Sequence, residues 1–517
     1  MNKNISISFI VGLLAVSCYQ PPIYLFTDPY LLPKWYLCLL GLVIVGVLIE
    51  VGQLRRWKFP PLKEVLSSLA SMFVAVSVLE CLWVMGCIIV FGLRPGGEIG
   101  TLGNPPELAL NLCVAIPWAV QLVIRGKGWL WRVLYGLATL LLVSVLLLTQ
   151  SRTGLICLAV FVVVLVGVGI CRLAVKKWIR MVLCGVCVLI VAIGTVAYVT
   201  SHKTDSTSGR AFILGRTWEL IGEHPIMGHG TGGFEREYML RQATYFKEHP
   251  DSEAAMLADE IRHPLCEFAY LWVNWGVVAP VVLLVLLLFP WWRRLKGHDE
   301  SMKPFLSPIL AIGIFSCFSY PFYYPIAWTT VGLSVFFAIR EVLGRMPQRI
   351  MTWGLLLTSV ILAGFTVNDM VHEHLWYKAY RRSFREKEAL EDYERLHGYF
   401  CRNHSFLYSY AMASFKRGDL DRADRMIAEC GEYWNGYNRE LLSADICRYR
   451  QEYERAIAHY KMAQLMCPVR FAPLEGLYNV YDSMGDTLHR DEVANQIATK
   501  RIKVHSAVIE RIKSKYQ

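Results

Sequence analysis

The sequence has 517 residues, of which 55% are hydrophobic and only 18% charged. Soluble domains average about 45–50% apolar and about 25% charged, so this composition excludes an ordinary cytosolic enzyme, a disordered scaffold and a secreted disulfide-stapled miniprotein. The net charge of +11 suggests nucleic acid as a partner, but in a membrane protein surplus Lys and Arg mark cytoplasmic loops.

Taken in chain order, apolar runs predict spans at roughly 5–19, 35–52, 65–92, 106–124, 130–149, 154–171, 178–200, 264–290, 304–320, 325–339 and 350–370. Most approach the ~20 apolar residues that cross a bilayer as helix. The first also allows a signal-peptide reading, because Ala15-Val16-Ser17-Cys18 loosely resembles a lipoprotein cleavage site. Val16 fits that site poorly, and no soluble domain follows. Alternate connections carry Lys3; Arg55, Arg56, Lys58 and Lys63; Arg125, Lys127 and Arg132; Arg172, Lys176, Lys177 and Arg180; Arg293, Arg294, Lys296 and Lys303; and Arg340, Arg345 and Arg349. The short connections on the other side hold only Lys34, Arg94 and Arg152. This bias sets the amino terminus inside. With about 11 spans, the loop at about 201–263 and the tail then lie outside the cytoplasm. The positive charge is explained by topology and membrane lipids, and nucleic acid drops out as a partner. The expected architecture is all-α: a polytopic helical bundle over 1–371 and a soluble helical domain over 372–517.

Eleven of the fifteen cysteines lie in or beside apolar segments, where a thiol behaves as a small hydrophobe. Cys184 and Cys187 sit inside an expected span without charged neighbours, which favours packing over redox or metal chemistry. Cys401, Cys430, Cys447 and Cys467 fall in the tail, where pairing stays open. There, Ala456, Tyr460, Ala463 and Pro468 reproduce the second-helix spacing of a tetratricopeptide repeat. Gly418-Asp419 followed by Ala423 aligns with Gln451-Glu452 followed by Ala456 at an offset of 33, and Gly485-Asp486 lies 67 residues after Gly418-Asp419. Such helix pairs stack into a concave surface, so the tail reads as a docking module for a protein or large polymer, with a plain helical bundle as the alternative.

Four polar segments sit at the expected outer ends of spans: Thr101 to Pro106; Gln150 to Gly154; Gly209-Arg210 through Arg216-Thr217-Trp218 to Glu223-His224-Pro225-Ile226-Met227-Gly228-His229-Gly230; and Arg262-His263-Pro264. They gather Arg152, Arg210, Arg216, Arg262 and several histidines at one membrane face. Interfacial snorkelling explains any one of these arginines but explains the cluster less well. Guanidinium matches phosphate oxygens bidentately and stays charged, which points to a lipid-linked phosphate or diphosphate. A histidine there can take a proton from an attacking hydroxyl near neutral pH. Gly228, Gly230 and Gly233 spell Gly-x-Gly-x-x-Gly, but no strand precedes them in a βαβ unit, so they read as a flexible turn rather than a dinucleotide site. No Walker motif, zinc spacing or Gly-x-Ser-x-Gly elbow appears. His372, His374, Glu388 and Glu391 read as solvated helix faces.

With these motifs in place, the chain resembles the superfamily of O-antigen ligases, O-antigen polymerases and protein O-oligosaccharyltransferases. Ser151-Arg152-Thr153-Gly154 looks like its Ser-Arg element. Arg216-Thr217-Trp218 followed by His224 to Gly230 looks like its Arg-x-x-Trp…His-Pro-x-x-Gly-x-Gly loop. Gly103-Asn104-Pro105 resembles its Gly-Asn-Pro-Asn segment, with Pro106 replacing the second Asn. His263 lies where the family places a histidine, with Pro264 in place of the usual Asn. The resemblance covers roughly 100–340. It implies glycan transfer without metal or cofactor at the periplasmic face of a Gram-negative inner membrane. The donor would be a glycan on a polyprenyl (undecaprenyl) diphosphate, and the acceptor lipid A-core, a glycan end or a protein hydroxyl. Carried over, Arg152 and Arg216 contact the diphosphate and His263 is the base, with His229, Arg210 and Arg262 in reserve. A ligase-like activity is favoured, followed by a polymerase. A lipid-glycan flippase or exporter is the non-enzymatic alternative, against which stands the gathering of polar groups at the rim rather than along a path through the spans.

Overall fold

The computed structural model describes residues 17–54, 62–92, 100–102, 104–126, 128–171, 179, 204–297, 303–343, 348–386, 388–503 and 506–516. Among them the regular structure is helical and no strand occurs. By contact the chain divides into two compact units, one of 1–202 with 281–374 and one of 203–280 with 375–517.

The first unit contains α1 (Leu32–Leu54), α2 (Leu62–Phe91), α3 (Pro105–Arg125), α4 (Trp129–Leu148) and α5 (Arg152–Cys171). After these come most of α9 (Val278–Gly297), then α10 (Lys303–Phe318), α11 (Pro325–Leu343) and the greater part of α12 (Gln348–Ser383). Among the described residues, Ser68–Phe91, Pro105–Arg125, Trp129–Leu148, Arg152–Ile170 and Val278–Lys296 are long and apolar enough to cross a membrane. Shorter apolar stretches are Leu32–Ile44, Pro304–Phe318 and Pro325–Phe336. This is a multi-pass membrane protein. The expected spans 5–19 and 178–200 lie almost wholly outside the described residues, as do Cys184 and Cys187.

The centre of the unit is α3, buried without a break from Glu107 to Ala119. Its small residues let neighbours approach: a side chain at Gly154 on α5 would press within 3.1 Å of Ala109. Trp118 fills the far end, donating its indole N–H to the Pro304 carbonyl at 2.7 Å with its ring edge-on to Phe73.

One expected span is not continuous. The apolar run 264–290 contains the short helix α8 (Glu267–Trp275), a break at Gly276 with φ +70°, and only then α9. The break is invisible to hydropathy because Trp275 and Val277 flank it.

The second unit joins the long loop to the tail. The loop supplies α6 (Thr204–Glu223), α7 (Gly233–Glu248) and α8. The tail runs from the end of α12 through α13 (Ala389–Phe400), α14 (His404–Lys416), α15 (Leu420–Cys430), α16 (Tyr437–Tyr449), α17 (Tyr453–Met466), α18 (Ala472–Met484), α19 (Thr487–Thr499) and α20 (Ala507–Lys515). One apolar core contains Leu220 and Ile221 from α6, Phe234, Tyr238 and Met239 from α7, Val273 from α8, and Tyr437, Ala463, Met466 and Cys467 from the tail. The buried Gln242 bridges the two segments, donating to the carbonyls of Asp259 (3.1 Å) and Met466 (2.6 Å).

Three tail helices begin the same way. Gly418, Gln451 and Gly485 adopt φ of +78°, +64° and +75°, and an acidic residue follows each at the helix start. Asp419 and Asp486 accept the amides of Arg422 and His489, a side-chain cap worth about 1 kcal/mol. Ala423, Ala456, Tyr460 and Ala463 are buried at the helix contacts. Cys430, Cys447 and Cys467 are buried free thiols, and Cys401 is a partly exposed one.

Candidate functional site

In the first unit the Ser-Arg element forms a tight link between α4 and α5. Thr149 ends α4, Gln150 takes φ +52°, and Ser151 Oγ accepts the Gly154 amide at 3.3 Å. Arg152 is thereby the first residue of α5, half-buried, with Thr153 and Gly154 packed inward. Sequence reasoning missed the buried pair of the same unit, Lys34 Nζ to Glu107 Oε1 at 2.7 Å. Beside it, Asn104 caps α3 by accepting the Glu107 amide at 2.9 Å and donates to Tyr324 Oη at 2.8 Å. Asn104 and Pro105 therefore build a helix start. Its only sequence signal was the cap residue ahead of two prolines.

In the second unit Arg216 lies on α6, 4.3 Å over the Tyr245 ring, with Nη2 on Glu219 at 2.9 Å. Its Nε is buried and meets no hydrogen-bond partner among the described residues. One turn further on, Glu223 pairs with Arg241 of α7 and lies 3.9 Å from His229 Nε2. Two contacts thus join α6 to α7, Arg216 over the Tyr245 ring and Glu223 with Arg241 one turn before it. Glu223 stands in the third polar segment, whereas its partner Arg241 was not singled out in the sequence. Arg210 is half-buried on the same helix, and a six-residue offset turns it about 120° away from Arg216.

The two histidines hold the same tautomer, with the proton on Nε2. His229 Nε2 lies 2.9 Å from the Leu220 carbonyl, which can only accept, so the proton sits on Nε2 and the lone pair on Nδ1. His263 Nδ1 accepts the Leu265 amide at 3.0 Å, which puts its proton on Nε2. The His263 ring stacks on Tyr270 at 4.7 Å, and burial drives its pKa down to about 3. Tyr270 in turn donates to Glu235 Oε1 at 2.8 Å, and burial raises the Glu235 carboxyl above its usual range. Arg262 has other neighbours: it is exposed, 5.4 Å over the Trp434 ring of the tail. Next to it Glu260 accepts from Asn438 at 2.8 Å, and burial together with Arg262 lowers His404 to about 4.

The turn with the glycine triplet is tied down rather than flexible. His229 donates its amide to the Val273 carbonyl at 2.7 Å, and Val277 donates to the Pro225 carbonyl at 3.1 Å. A Cβ at Gly228 would meet the backbone of Asn274 and Gly276 at 2.6–2.7 Å. The glycines serve backbone contact between this turn and the end of α8.

Residues 137–284 match the family model described as O-antigen ligase. No curated protein matches the chain. The matched stretch contains Arg152, Arg210, Arg216, His229, Arg262 and His263, and over it the chain is similar to the O-antigen ligase family.

Proposed function

We propose that the protein transfers a glycan from a polyprenyl (undecaprenyl) diphosphate carrier to an acceptor hydroxyl at the periplasmic face of the inner membrane, in the manner of an O-antigen ligase. The observation that carries this reading is the family match over 137–284, which contains every arginine and histidine proposed for the site. The orientation rests on the charge bias of the connections, with the amino terminus cytoplasmic and the long loop and tail outside. The tail is a tetratricopeptide-like platform for the acceptor or a partner protein.

The acceptor oxygen attacks the anomeric carbon, the bond to the carrier phosphate breaks, and the diphosphate leaves with the electron pair. Direct displacement inverts the anomeric centre. Arg152 and Arg216 grip the diphosphate and stabilise the charge growing on it, the kind of contact whose loss costs about 10²–10³ in rate. No metal is required for that role. Arg210 and Arg262 extend the anionic rim. The hydroxyl proton passes to His263, whose ring burial keeps neutral before the step while also making it a weak base. The lone pair it uses is the one held by the Leu265 amide, so that turn gives up one hydrogen bond on proton uptake. His229 is the second reading for the base, favoured by the lone pair on its Nδ1.

Full-length enzyme supplied with a lipid-diphosphate glycan tests the site. Arg152→Ala and Arg216→Ala each abolish transfer at normal protein abundance, and a chelator has no effect. Wild-type transfer in both variants removes the site, and strict divalent-metal dependence points to another class of glycosyltransferase. Comparing His263→Ala with His229→Ala decides the base. Surface glycans of a deletion strain separate the acceptors: uncapped lipid A-core, shortened polymer or unglycosylated protein. Donor accumulating on the inner leaflet instead marks a flippase.

A further inference from the structure

The tip of the turn between α6 and α7 is apolar and exposed. Ile226 is 69% and Met227 81% exposed, and the rings of Trp218 and Trp275 and the side chain of Val278 are exposed as well. A mobile loop can hide such side chains by folding back on itself, whereas this turn is fixed. The Pro225 carbonyl accepts from the Trp272 indole at 2.8 Å and from the Val277 amide at 3.1 Å. Backbone meets backbone at Gly276, where a Cβ would lie 1.8 Å from the Ile226 oxygen.

The position of this contact identifies what covers the tip. Val278 is the first residue of a helix long and apolar enough to cross a membrane. A helix that crosses from Val278 has its first turn at the boundary between headgroups and hydrocarbon. The Pro225–Met227 turn, one hydrogen bond from Val277, is held at that same depth. Its indoles fit the location. Trp218 packs edge-on to Trp272 at 5.7 Å, and Trp275 donates to Thr231 Oγ1 at 3.2 Å. The Trp275 indole N–H is bonded while its ring body stays bare, the arrangement for which Trp is enriched at membrane interfaces.

We propose that Ile226 and Met227 are seated in the lipid bilayer as a wedge, with Trp218 and Trp275 at the headgroup level, tethering the long loop to the membrane surface at Val278. This does not depend on which side of the membrane the loop occupies, nor on the transfer reaction.

The test uses the full-length protein in phosphatidylcholine liposomes, spin-labelled at Met227→Cys. Collisions with molecular oxygen and with a water-soluble nickel chelate are compared, after subtracting the signal of the labelled parent. Val281→Cys in α9 and Asp251→Cys beyond α7 give the lipid and water references. The Met227 label is expected to match Val281, with an oxygen-to-nickel ratio several-fold above that of Asp251. A ratio equal to that of Asp251 overturns the proposal. So does protection from both reagents, which means that protein covers the turn. Ile226→Cys repeats the measurement at the second tip residue, so that loss of one variant leaves the result decidable.

Discussion

Charging His263 inside the fold means placing an imidazolium where burial holds the pKa at about 3, against 6.5 in the free side chain. Between those values the unfolded chain binds a proton that the folded chain refuses. Stability is therefore intact above about pH 6.5 and falls as pH drops toward 3, by up to ~1.4 kcal/mol per pH unit. His263→Asn keeps an acceptor for the Leu265 amide and removes the ionisation. It should flatten the acid limb of melting temperature against pH, leaving the smaller slope due to His404; an unchanged limb refutes the buried neutral ring. The motif members were legible in the sequence, because Arg152, Arg216 and His229 stand at short, fixed spacings. Their partners were not. The Arg241–Glu223 pair depends on which faces of two helices meet, and the Lys34–Glu107 pair closes across 73 positions.

Helices α2 to α5 were readable because apolar length is a local property of the chain. The division between α8 and α9 was not, since it turns on one backbone conformation inside an unbroken apolar run. Gly276 holds φ +70° with the Ile226 carbonyl where a Cβ would stand. The backbone term alone for a side chain in such a region is about 1–3 kcal/mol, and the clash adds to it. Gly276→Ala should lower the melting temperature and abolish transfer by displacing the turn from Pro225 to Gly230. Gly230 shares a positive φ of +87° but has open space around its Cβ position, so Gly230→Ala should cost only the backbone term. Equal melting temperatures for the two variants would contradict this account of the turn.

At the scale of the molecule, the loop and the tail are separate in sequence and share one core. Composition marks the change to soluble helices near residue 372 but is silent on what those helices pack against, because a core assembled from distant segments leaves no local periodicity. Tyr437, Ala463, Met466 and Cys467 close the apolar side of α6, α7 and α8. Ending the chain after His374 should therefore open the 204–276 segment to protease and abolish transfer, although residues 137–284 remain intact. Wild-type protease resistance of the loop in that truncation would mean that the loop folds without the tail.

The same shared core sets an order of events at the ribosome. Trp275 emerges roughly 190 residues before Met466, a wait of about 10–40 s at ~5–20 residues per second. Throughout that interval the nascent loop lacks the wall against which Phe234, Tyr238 and Val273 close. A chain ended early by a premature stop keeps its conspicuous arginines but never completes the core on which α6, α7 and α8 close, so a later segment licenses an earlier one.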